Sequence, residues 1–409
     1  MKTDIKSLSS EELADVLKQW GEAHYRTGQL LNWLYANRAT HWDAMSNLPR
    51  KLRQRLAEAF DLQIPQLVTR QGETDSTQKF LWRLADHSLI ESVLIPANPA
   101  LFGEPSDRQT LCISTQVGCA YGCKFCASGL AGWKRDLEVQ EIVEQVLAVE
   151  RWHASEHQTE SPGKPALSEG AIPLTLPTSG SEVHAPVPTA PRLVSNLVIM
   201  GMGEPLANYE NLIKALRILN APWGSNIGAR KMTISTCGLV PEIRLLAEEP
   251  AQWRLAISLH GATDRIRDQI MPINRRYPLR ELMDACEYYQ ARKGRQITFE
   301  YILIAGLNDQ LDQIEPLAEL ALRFSAKVNL IPFNPVPSLN WQRPPEQTQE
   351  VFLARLTQEG VKATLRREKG GEIDAACGQL RLKTEQQEAA ASTPVLLESL
   401  PPPLEIVSS

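Results

Sequence analysis

Three cysteines stand close together in the stretch GCAYGCKFCASG, residues 118–129, at Cys119, Cys123 and Cys126. Thiolates at this C-x3-C-x2-C spacing are able to surround one soft-metal centre, such as an iron–sulfur cluster, zinc or Cu(I). A [4Fe–4S] cluster normally takes four cysteines, so three ligands leave one iron open to a substrate group. A structural zinc site would need a fourth Cys or His, and none lies nearby in the sequence. The pattern therefore favours an open cluster over a closed zinc site or a chance group of buried cysteines.

The same spacing, together with Phe125 just before the third cysteine, resembles that of the radical SAM enzymes. The resemblance implies that the open iron binds the amino and carboxylate groups of S-adenosylmethionine. It also implies that an electron from the cluster splits this molecule into methionine and a 5′-deoxyadenosyl radical. The spacing by itself argues only for the open cluster.

The composition is that of a soluble globular protein, with 409 residues of which 43% are hydrophobic and 22% charged. This length predicts two or three domains. The polar start MKTDIKSLSSEEL is not a secretory signal, and no apolar run is long enough to span a bilayer. Seven cysteines, an odd number with three in a ligand-like group, predict a reducing cytoplasm rather than a disulfide framework. The net charge of −5 gives no support to nucleic-acid binding, although it leaves room for local basic patches.

The first part of the chain, residues 1–65, is predicted to be a helical accessory domain. Ser9 or Ser10 is expected to cap the run EELADVLKQW, and two further amphipathic stretches follow, GQLLNWLYANR and LPRKLRQRLAEAF. Residues 66–104 change to alternation of apolar and polar residues, as in QKFLWRLADHSLIESVLIP. That pattern predicts a short antiparallel β extension leading into the core.

Residues 105–383 show a repeated strand–loop–helix pattern, which predicts a parallel sheet. The predicted strands are 110–117, 196–201, 231–236, 254–259, 297–304, 327–333 and 361–366. The predicted helices are 137–152, 207–219, 240–249, 279–293, 309–323 and 345–358. We therefore predict an α/β fold with a partial (β/α)6-type barrel, whose chemistry lies at the C-terminal ends of its strands. The cysteine loop, the stretch MGMGEP, Ser258–His260 and Asn334 all follow such ends and are expected to meet at one mouth.

Two segments are expected to lie outside this core. Residues 153–195 are rich in Pro, Ser, Thr and Glu without periodicity, which predicts a disordered insertion. Its histidines, His153, His157 and His184, are better explained as solvated side chains than as metal ligands. Residues 384–409, which end in LESLPPPLEIVSS, are predicted to be a mobile tail.

Six ordered blocks of the chain read LCISTQVGCAYGCKFCASG, LVIMGMGEPLANYENL, MTISTCGLVP, LAISLHGATDRIRDQIMPINRRYPL, NLIPFNPVP and GGEIDAACGQL. Together they resemble one family, the RlmN-type rRNA and tRNA adenine-C2 methyltransferases, of which Cfr is the sister. The resemblance extends over nearly the whole chain except the insertion and the tail. It implies a radical SAM enzyme that methylates C2 of a specific adenosine in 23S rRNA and of an adenosine in the tRNA anticodon loop.

Residue by residue, the resemblance assigns Cys119, Cys123 and Cys126 to one [4Fe–4S] cluster. It assigns the contacts with S-adenosylmethionine to Gly203, Glu204, Ser235, Ser258, Leu259, His260 and Asn334. A carboxylate suits the ammonium group of this cofactor, and a glycine permits close approach of the backbone. Without the family, each of the short polar residues at the strand ends would be an ordinary cap.

The resemblance also implies a cysteine carrier, because C2 of adenine offers no nucleophile to a polar methyl transfer. Cys377 would take a methyl group from one S-adenosylmethionine. A second S-adenosylmethionine would yield the radical that removes a hydrogen atom from this S-methyl group. The resulting carbon radical would add to C2, and Glu91 would take the C2 proton. Cys112 would then attack the thioether sulfur, release the base and form a disulfide with Cys377. From the residues alone, Cys377 could equally be an inert buried thiol, and Glu91 would more often face solvent.

Two other functions stay open at this stage. A non-catalytic iron–sulfur electron carrier would have no use for MGMGEP or Cys377, and it usually has a fourth cluster cysteine. A Cfr-like enzyme would use the same cysteine pair to methylate C8 of adenine. The MGMGEPL and DAACGQL blocks favour the C2 reaction.

The expected partners are 23S rRNA, tRNA and an external electron donor such as flavodoxin or ferredoxin, for a monomeric protein without membrane association. An adenine would have to be flipped out of its stack to be reached. Candidate phosphate contacts near the mouth are Arg275, Arg276, Arg366 and Arg367. A second basic group lies on the third predicted helix, where the side chains either contact phosphates or form a solvated face: Arg50, Lys51, Arg53 and Arg55.

Overall fold

The computed structural model describes residues 2–73, 76–97, 106–130, 132–159, 192–335, 339–366 and 378–392. The first helices are α1 (Ser10–Gln19), α2 (Tyr25–Leu31) and α3 (Arg50–Ala59), at the three stretches that the sequence predicts. Ser9 is the residue that caps α1, because its hydroxyl accepts from the Glu12 amide while the Glu12 carboxylate accepts from the Ser9 amide.

An antiparallel extension follows, made of β1 (Gln66–Gln71), β2 (Gln78–Arg83) and β3 (Leu89–Pro96). This arrangement confirms the predicted antiparallel β extension. Strand β3 continues the pairing into β4 (Gln109–Cys112), which is the first strand of the parallel core. The extension and the core therefore share one sheet, and β3 lies directly beside the strand that carries Cys112.

The predicted strand 110–117 is wrong in its second half. It ends at Cys112, and β5 (Gln116–Gly118) belongs to a separate two-stranded sheet with β6 (Trp133–Asp136). The bend between them is fixed by Ser114, whose amide and carbonyl bind the amide side chain of Gln145. The cysteine loop and the short helix α4 (Ala127–Leu130) lie between β5 and β6, so the small sheet supports the loop from both ends.

In the described part of the chain, seven parallel strands form the core, because β4 pairs with β7 and the order then follows the chain to β12. The remaining strands are β7 (Asn196–Ile199), β8 (Met232–Thr236), β9 (Arg254–Ser258), β10 (Thr298–Leu303), β11 (Lys327–Pro332) and β12 (Lys362–Leu365). The helices between and after them are α5 (Val139–Thr159), α6 (Tyr209–Asn220), α7 (Val240–Glu248), α8 (Asp264–Ile270), α9 (Leu279–Lys293), α10 (Ile314–Arg323), α11 (Glu346–Gln358) and α12 (Gln379–Ser392). The predicted α/β class, with a mostly parallel sheet and a small helical N-terminal unit, is confirmed.

The boundaries of the two peripheral segments need correction. Helix α5 continues to Thr159, and Val194 is buried with its amide bound to the Glu150 carboxylate, so both ends of the predicted insertion 153–195 belong to the core. Residues 160–191, which include His184, lie outside the described residues. The predicted tail begins too early as well, because residues 384–392 continue α12 and Glu385 pairs with Lys134 at 3.0 Å.

One face of the parallel strands is apolar, as expected for a face covered by helices. Ile234, Leu255, Phe299 and Val328 have no exposed surface. The opposite face lines a cavity and carries polar side chains in both halves of the strands, as Thr233 near the start of β8 shows. Within the described ranges, no helix is at once long enough and apolar enough to span a bilayer.

Candidate active site

A cavity of about 600 Å³ lies at the C-terminal ends of the parallel strands. It is lined by the three loop cysteines and by most of the residues that the sequence assigns to the cofactor: Cys119, Cys123, Cys126, Gly203, Glu204, Ser235, Ser258, His260 and Asn334. These residues come from segments far apart in the chain. They line one cavity, as the sequence predicts. A cavity of this size is large enough for a nucleoside-sized ligand.

The cysteine loop is held by close backbone contacts that only glycine permits. Gly118 has φ +81°, and a Cβ there would lie 1.9 Å from the carbonyl oxygen of Gly132. The Cys119 amide donates to that same carbonyl at 3.0 Å, and the Lys124 amide donates to Ile270 at 2.9 Å. The loop is therefore fixed to β6 on one side and to α8 on the other.

The three thiols of the loop face the cavity and lie close to one another. Burial raises the pKa of Cys119 to about 12 and also raises the pKa of Cys123 and Cys126, and repulsion from the neighbouring thiolates adds to the shift at Cys119 and Cys123. Among the described residues, no three His, Cys, Asp or Glu side chains converge where one metal ion could bind. A cluster spreads its thiolates over several iron atoms, so this donor set fits an open iron–sulfur cluster better than a single zinc ion.

Glu204 is a buried carboxylate that also lines the cavity. Its two oxygens accept from the amides of Leu206 at 3.1 Å and Cys237 at 2.8 Å, and its own amide donates to the Gln116 side chain. Burial raises the pKa of Glu204 despite these hydrogen bonds. An ammonium group in the cavity would therefore stabilise the charged form of this carboxylate. Gly203 has φ +100° and would place a Cβ 2.6 Å from Gln116, which explains a glycine before this glutamate.

His260 presents a neutral ring to the cavity. Burial and the nearby Arg267 lower its pKa to about 3. Its Nδ1 accepts from the Ile302 amide at 3.0 Å, which leaves the proton on Nε2. The Phe125 ring lies edge-on, 4.6 Å away, and so joins His260 to the cysteine loop. Ser235 and Ser258 complete this wall with their hydroxyl oxygens 3.3 Å apart.

Leu259 does not line the cavity, unlike its neighbours Ser258 and His260. Its side chain is fully buried, its amide donates to Glu300, and its carbonyl accepts from Arg267 at 2.6 Å. The structure therefore gives Leu259 a packing position between two lining residues.

Arg267 is a site residue to which the sequence analysis gave no role. Its guanidinium is fully buried and donates to the carbonyls of Ser258, Leu259 and Cys237 and to the Asn274 side chain. These carbonyls lie at the ends of β8 and β9, so one side chain fixes both strand ends. An arginine on a short amphipathic helix gives no sequence signal for such a position.

A second unpredicted feature is a row of polar side chains across the last three strands. Thr364 donates to Asn329 at 2.7 Å, and Asn329 donates to Glu300 at 2.9 Å. All three line the cavity, level with Ser258 in the register of the sheet. Burial raises the pKa of Glu300 to about 7, opposed by Asn329 and by the charge of Arg366. Polar residues in otherwise apolar strands are the signal that could have found this row.

Two of the residues assigned to the carrier chemistry, Cys112 and Glu91, lie on the adjacent strands β4 and β3. Cys112 is two residues from the cavity-lining Thr110 on β4, and burial raises the pKa of its thiol to about 11, opposed by the charge of Arg366. Glu91 on β3 is buried and does not line the cavity. Cys377 lies outside the described residues, whereas Gly378, the next residue, is bound to the Glu91 carboxylate.

The predicted phosphate contacts divide into exposed and occupied side chains. Arg275, Arg276 and Arg366 are exposed, and Arg366 also lines the cavity. On α3, Arg50 and Lys51 are exposed, whereas Arg53 bonds to Asp43 and Arg55 lies over the Trp20 ring at 4.3 Å. Arg367 lies outside the described residues.

Comparison with known families gives matches to two parts of the chain. Residues 3–62 match the family described as "Ribosomal RNA large subunit methyltransferase N-terminal domain". Residues 189–321 match the family described as "Radical SAM superfamily". These segments correspond to the N-terminal helices and to a large part of the parallel core.

Similar proteins extend the match to nearly the whole chain. A "Probable dual-specificity RNA methyltransferase RlmN 3" from Opitutus terrae is 49% identical over 96% of this chain and 98% of its own length. A "Probable dual-specificity RNA methyltransferase RlmN" from Akkermansia muciniphila is 44% identical over 95% and 98%.

A solved structure is similar over the same range. The crystal structure of a radical SAM methyltransferase from Sphaerobacter thermophilus is 39% identical, with a TM-score of 0.78 over 92% of this chain and 98% of that one. Sequence and structure thus agree with the cavity and its cysteine loop: the chain belongs to the RlmN family of radical SAM methyltransferases.

Proposed function

We propose that this protein methylates C2 of an adenosine in 23S rRNA and of an adenosine in tRNA, with Cys377 as methyl carrier and Cys112 as resolving thiol. The names of its relatives, dual-specificity RNA methyltransferases at 49% and 44% identity, support the RNA substrates. The cysteine pair supports the carrier chemistry.

One contact carries the proposal furthest. Gly378, the residue after Cys377, lies against the cysteine loop so closely that a Cβ on it would be 2.4 Å from the Ser128 hydroxyl. Ser128 follows Cys126 by two positions. The chain next to the proposed carrier therefore touches the loop that would hold the cluster, which an electron carrier without methyl transfer would have no reason to build.

The donor set of the cavity suits the cofactors of the family. Cys119, Cys123 and Cys126 would hold one [4Fe–4S] cluster, and Glu204 would bind the ammonium group of S-adenosylmethionine. When bound, and with two S-adenosylmethionine molecules per turnover, these groups supply a methyl group and a radical that abstracts hydrogen. The remaining lining residues, Gly203, Ser235, Ser258, His260 and Asn334, would orient the adenosyl and carboxylate parts, and His260 offers its Nε2 proton as a donor.

The residues of the chain then carry the methyl group to the base. Cys377 loses its thiol proton and gains a methyl group, and this group loses one hydrogen atom before its carbon bonds to C2. The adduct must then lose one electron, for which the oxidised cluster would be the acceptor, and Glu91 takes the C2 proton. The Cys112 thiolate attacks the Cys377 sulfur, so the S–S bond forms as the C–S bond breaks, and the released carbon takes a proton to become the methyl group. An external donor such as flavodoxin or ferredoxin supplies the electrons, and a reducing cytoplasm suits the recovery of both thiols.

The direct test is mass spectrometry of nucleosides after anaerobic incubation with labelled S-adenosylmethionine, using a 23S rRNA fragment and tRNA as separate substrates. We expect label in 2-methyladenosine from each RNA. Label in 8-methyladenosine would instead assign the protein to the Cfr-like reaction. Deoxyadenosine formed without either product would contradict RNA methylation while retaining the radical chemistry.

A further inference from the structure

Glu91 binds the start of the last helix with both oxygens of its carboxylate. One oxygen accepts from the Gly378 amide at 2.9 Å and the other from the Arg381 amide at 2.8 Å. Gly378 directly precedes α12 and Arg381 lies in its first turn, where helix amides have no partner within the helix. The capping carboxylate therefore comes from β3, 287 positions earlier in the chain.

Lys79 holds this carboxylate in place. Its ammonium lies 3.3 Å from the Glu91 oxygen that binds Gly378, and the side chains of Lys79 and Glu91 are 2% and 1% exposed. Lys79 on β2 pairs with Val93, two residues from Glu91, so the two charged side chains are diagonal neighbours on one face of the hairpin. A buried carboxylate needs such compensation to stay charged, and a charged carboxylate binds amides more strongly than a neutral acid.

The bound amide belongs to the peptide bond between Cys377 and Gly378. Gly378 has φ +82°, and the Ser128 hydroxyl closes its other side. The Gly378 amide thus lies between Glu91 and the cysteine loop. A hydrogen bond that fixes this amide also restricts the direction of the preceding residue, because the peptide unit that joins the two residues is rigid and planar.

Arg381 shows how much the docking of α12 depends on Glu91. Its side chain is fully buried, and among the described residues its guanidinium makes no hydrogen bond, only an ionic contact with Glu385 at 3.7 Å. Burying an arginine in this state is unfavourable. The amide bonds to Glu91 offset that cost, so removing the carboxylate should release the start of the helix.

We infer that Glu91, held by Lys79, is a positioning residue that orients Cys377 for receipt of its methyl group, before any RNA is bound. This inference rests on the carrier role of Cys377 in the proposed function. Acceptance of the C2 proton by Glu91 would come later, once an adduct with the base exists. Methylation of Cys377, which we call the loading step, precedes RNA binding. It therefore separates the positioning role of Glu91 from its role as a base.

The test measures methyl transfer to Cys377 without RNA. Protein with reconstituted cluster is mixed anaerobically with S-adenosylmethionine and a reductant, and peptide mass spectrometry follows the methylated Cys377 peptide with time. We expect Glu91→Ala to load at least about tenfold more slowly than wild type, because two charge-assisted hydrogen bonds are lost. Glu91→Gln, which keeps one acceptor oxygen, should be intermediate, and the exposed control Glu138→Gln should match wild type.

A second readout does not depend on activity. Hydrogen exchange of the amides of Gly378 and Arg381 should accelerate in Glu91→Ala, while the amides of β10 and the cluster absorption stay unchanged. Equal loading and equal exchange in wild type and both Glu91 variants would overturn the inference and leave Glu91 as a base alone. If wild-type Cys377 is never methylated, the carrier role fails, and the inference fails with it.

Discussion

The two sides of the cavity are built in different ways. On the cofactor side, Glu204, Ser235 and His260 lie at or just beyond the ends of neighbouring parallel strands, and their polar atoms bind the backbone or side chains of adjacent segments. On the carrier side, one carboxylate from the antiparallel extension binds the start of the last helix. The cofactor side is thus a product of the sheet itself, whereas the carrier side depends on long-range contacts of α12, in which Glu91 binds the first amides and Lys134 and Arg83 pair with later side chains.

Because the two sides are built differently, a substitution on one side should disrupt that side and leave the other intact. A change in the buried groups that fix the strand ends should weaken the fold and the cofactor site together. A change at Glu91 should leave the sheet intact and affect only α12 and the residues before it. The following predictions test that separation.

The largest stability effect is expected on the cofactor side, from Arg267→Met. The substitution removes four hydrogen bonds from a fully buried guanidinium and leaves three strand-end carbonyls without their donor. We expect the free energy of unfolding to fall by about 3–5 kcal/mol in urea titrations. The matched control is Arg265→Met on the same helix, where the side chain is exposed and the change should stay within about 0.5 kcal/mol. Equal effects of the two variants would show that Arg267 does not hold the strand ends.

A smaller, pH-dependent effect is expected from Glu300→Gln. The folded protein holds the pKa of Glu300 near 7 against an ordinary value of 4.5, so the folded state binds the extra proton and stability falls as pH rises between these values. Glu300→Gln has no titrating group at this position, so it lacks the loss of stability with rising pH. Its side-chain oxygen is still able to accept the hydrogen bond from Asn329. Its stability relative to wild type should grow by up to about 3 kcal/mol from pH 4 to pH 8 in protein free of cofactor. A difference that does not change with pH would mean that Glu300 titrates normally.

Much of the fold could be predicted because the strand–helix pattern is local. The helix predicted at 279–293 has those bounds in the structure, and the parallel strands agree to within a few residues. The cavity followed from the rule that parallel strands end at the same edge, which places Glu204, Ser258 and Asn334 together. The cysteine spacing sufficed to find the loop.

The parts that sequence missed depend on partners distant in the chain. The strand at 110–117 is broken by Gln145, which no local pattern shows to be near Ser114. Helix α12 looks like a mobile tail because its sequence is polar, yet Glu91 caps it and Lys134 and Arg83 pair with its side chains. The alternation around Glu91 suggested a solvated face, whereas Lys79 and the helix start bury it.

The most direct measurement of the central claim is the fate of the RNA in Cys112→Ala, compared with the double variant that also carries Cys377→Ala. After anaerobic turnover, denaturing gels should show RNA crosslinked to Cys112→Ala, because the adduct forms on Cys377 and has no thiol to resolve it. The double variant should keep the cluster absorption of wild type, since the cofactor side is untouched, and should give neither crosslink nor methylated RNA. Normal turnover of Cys112→Ala, or a crosslink that persists without Cys377, would contradict the division of the cavity into a cofactor side and a carrier side.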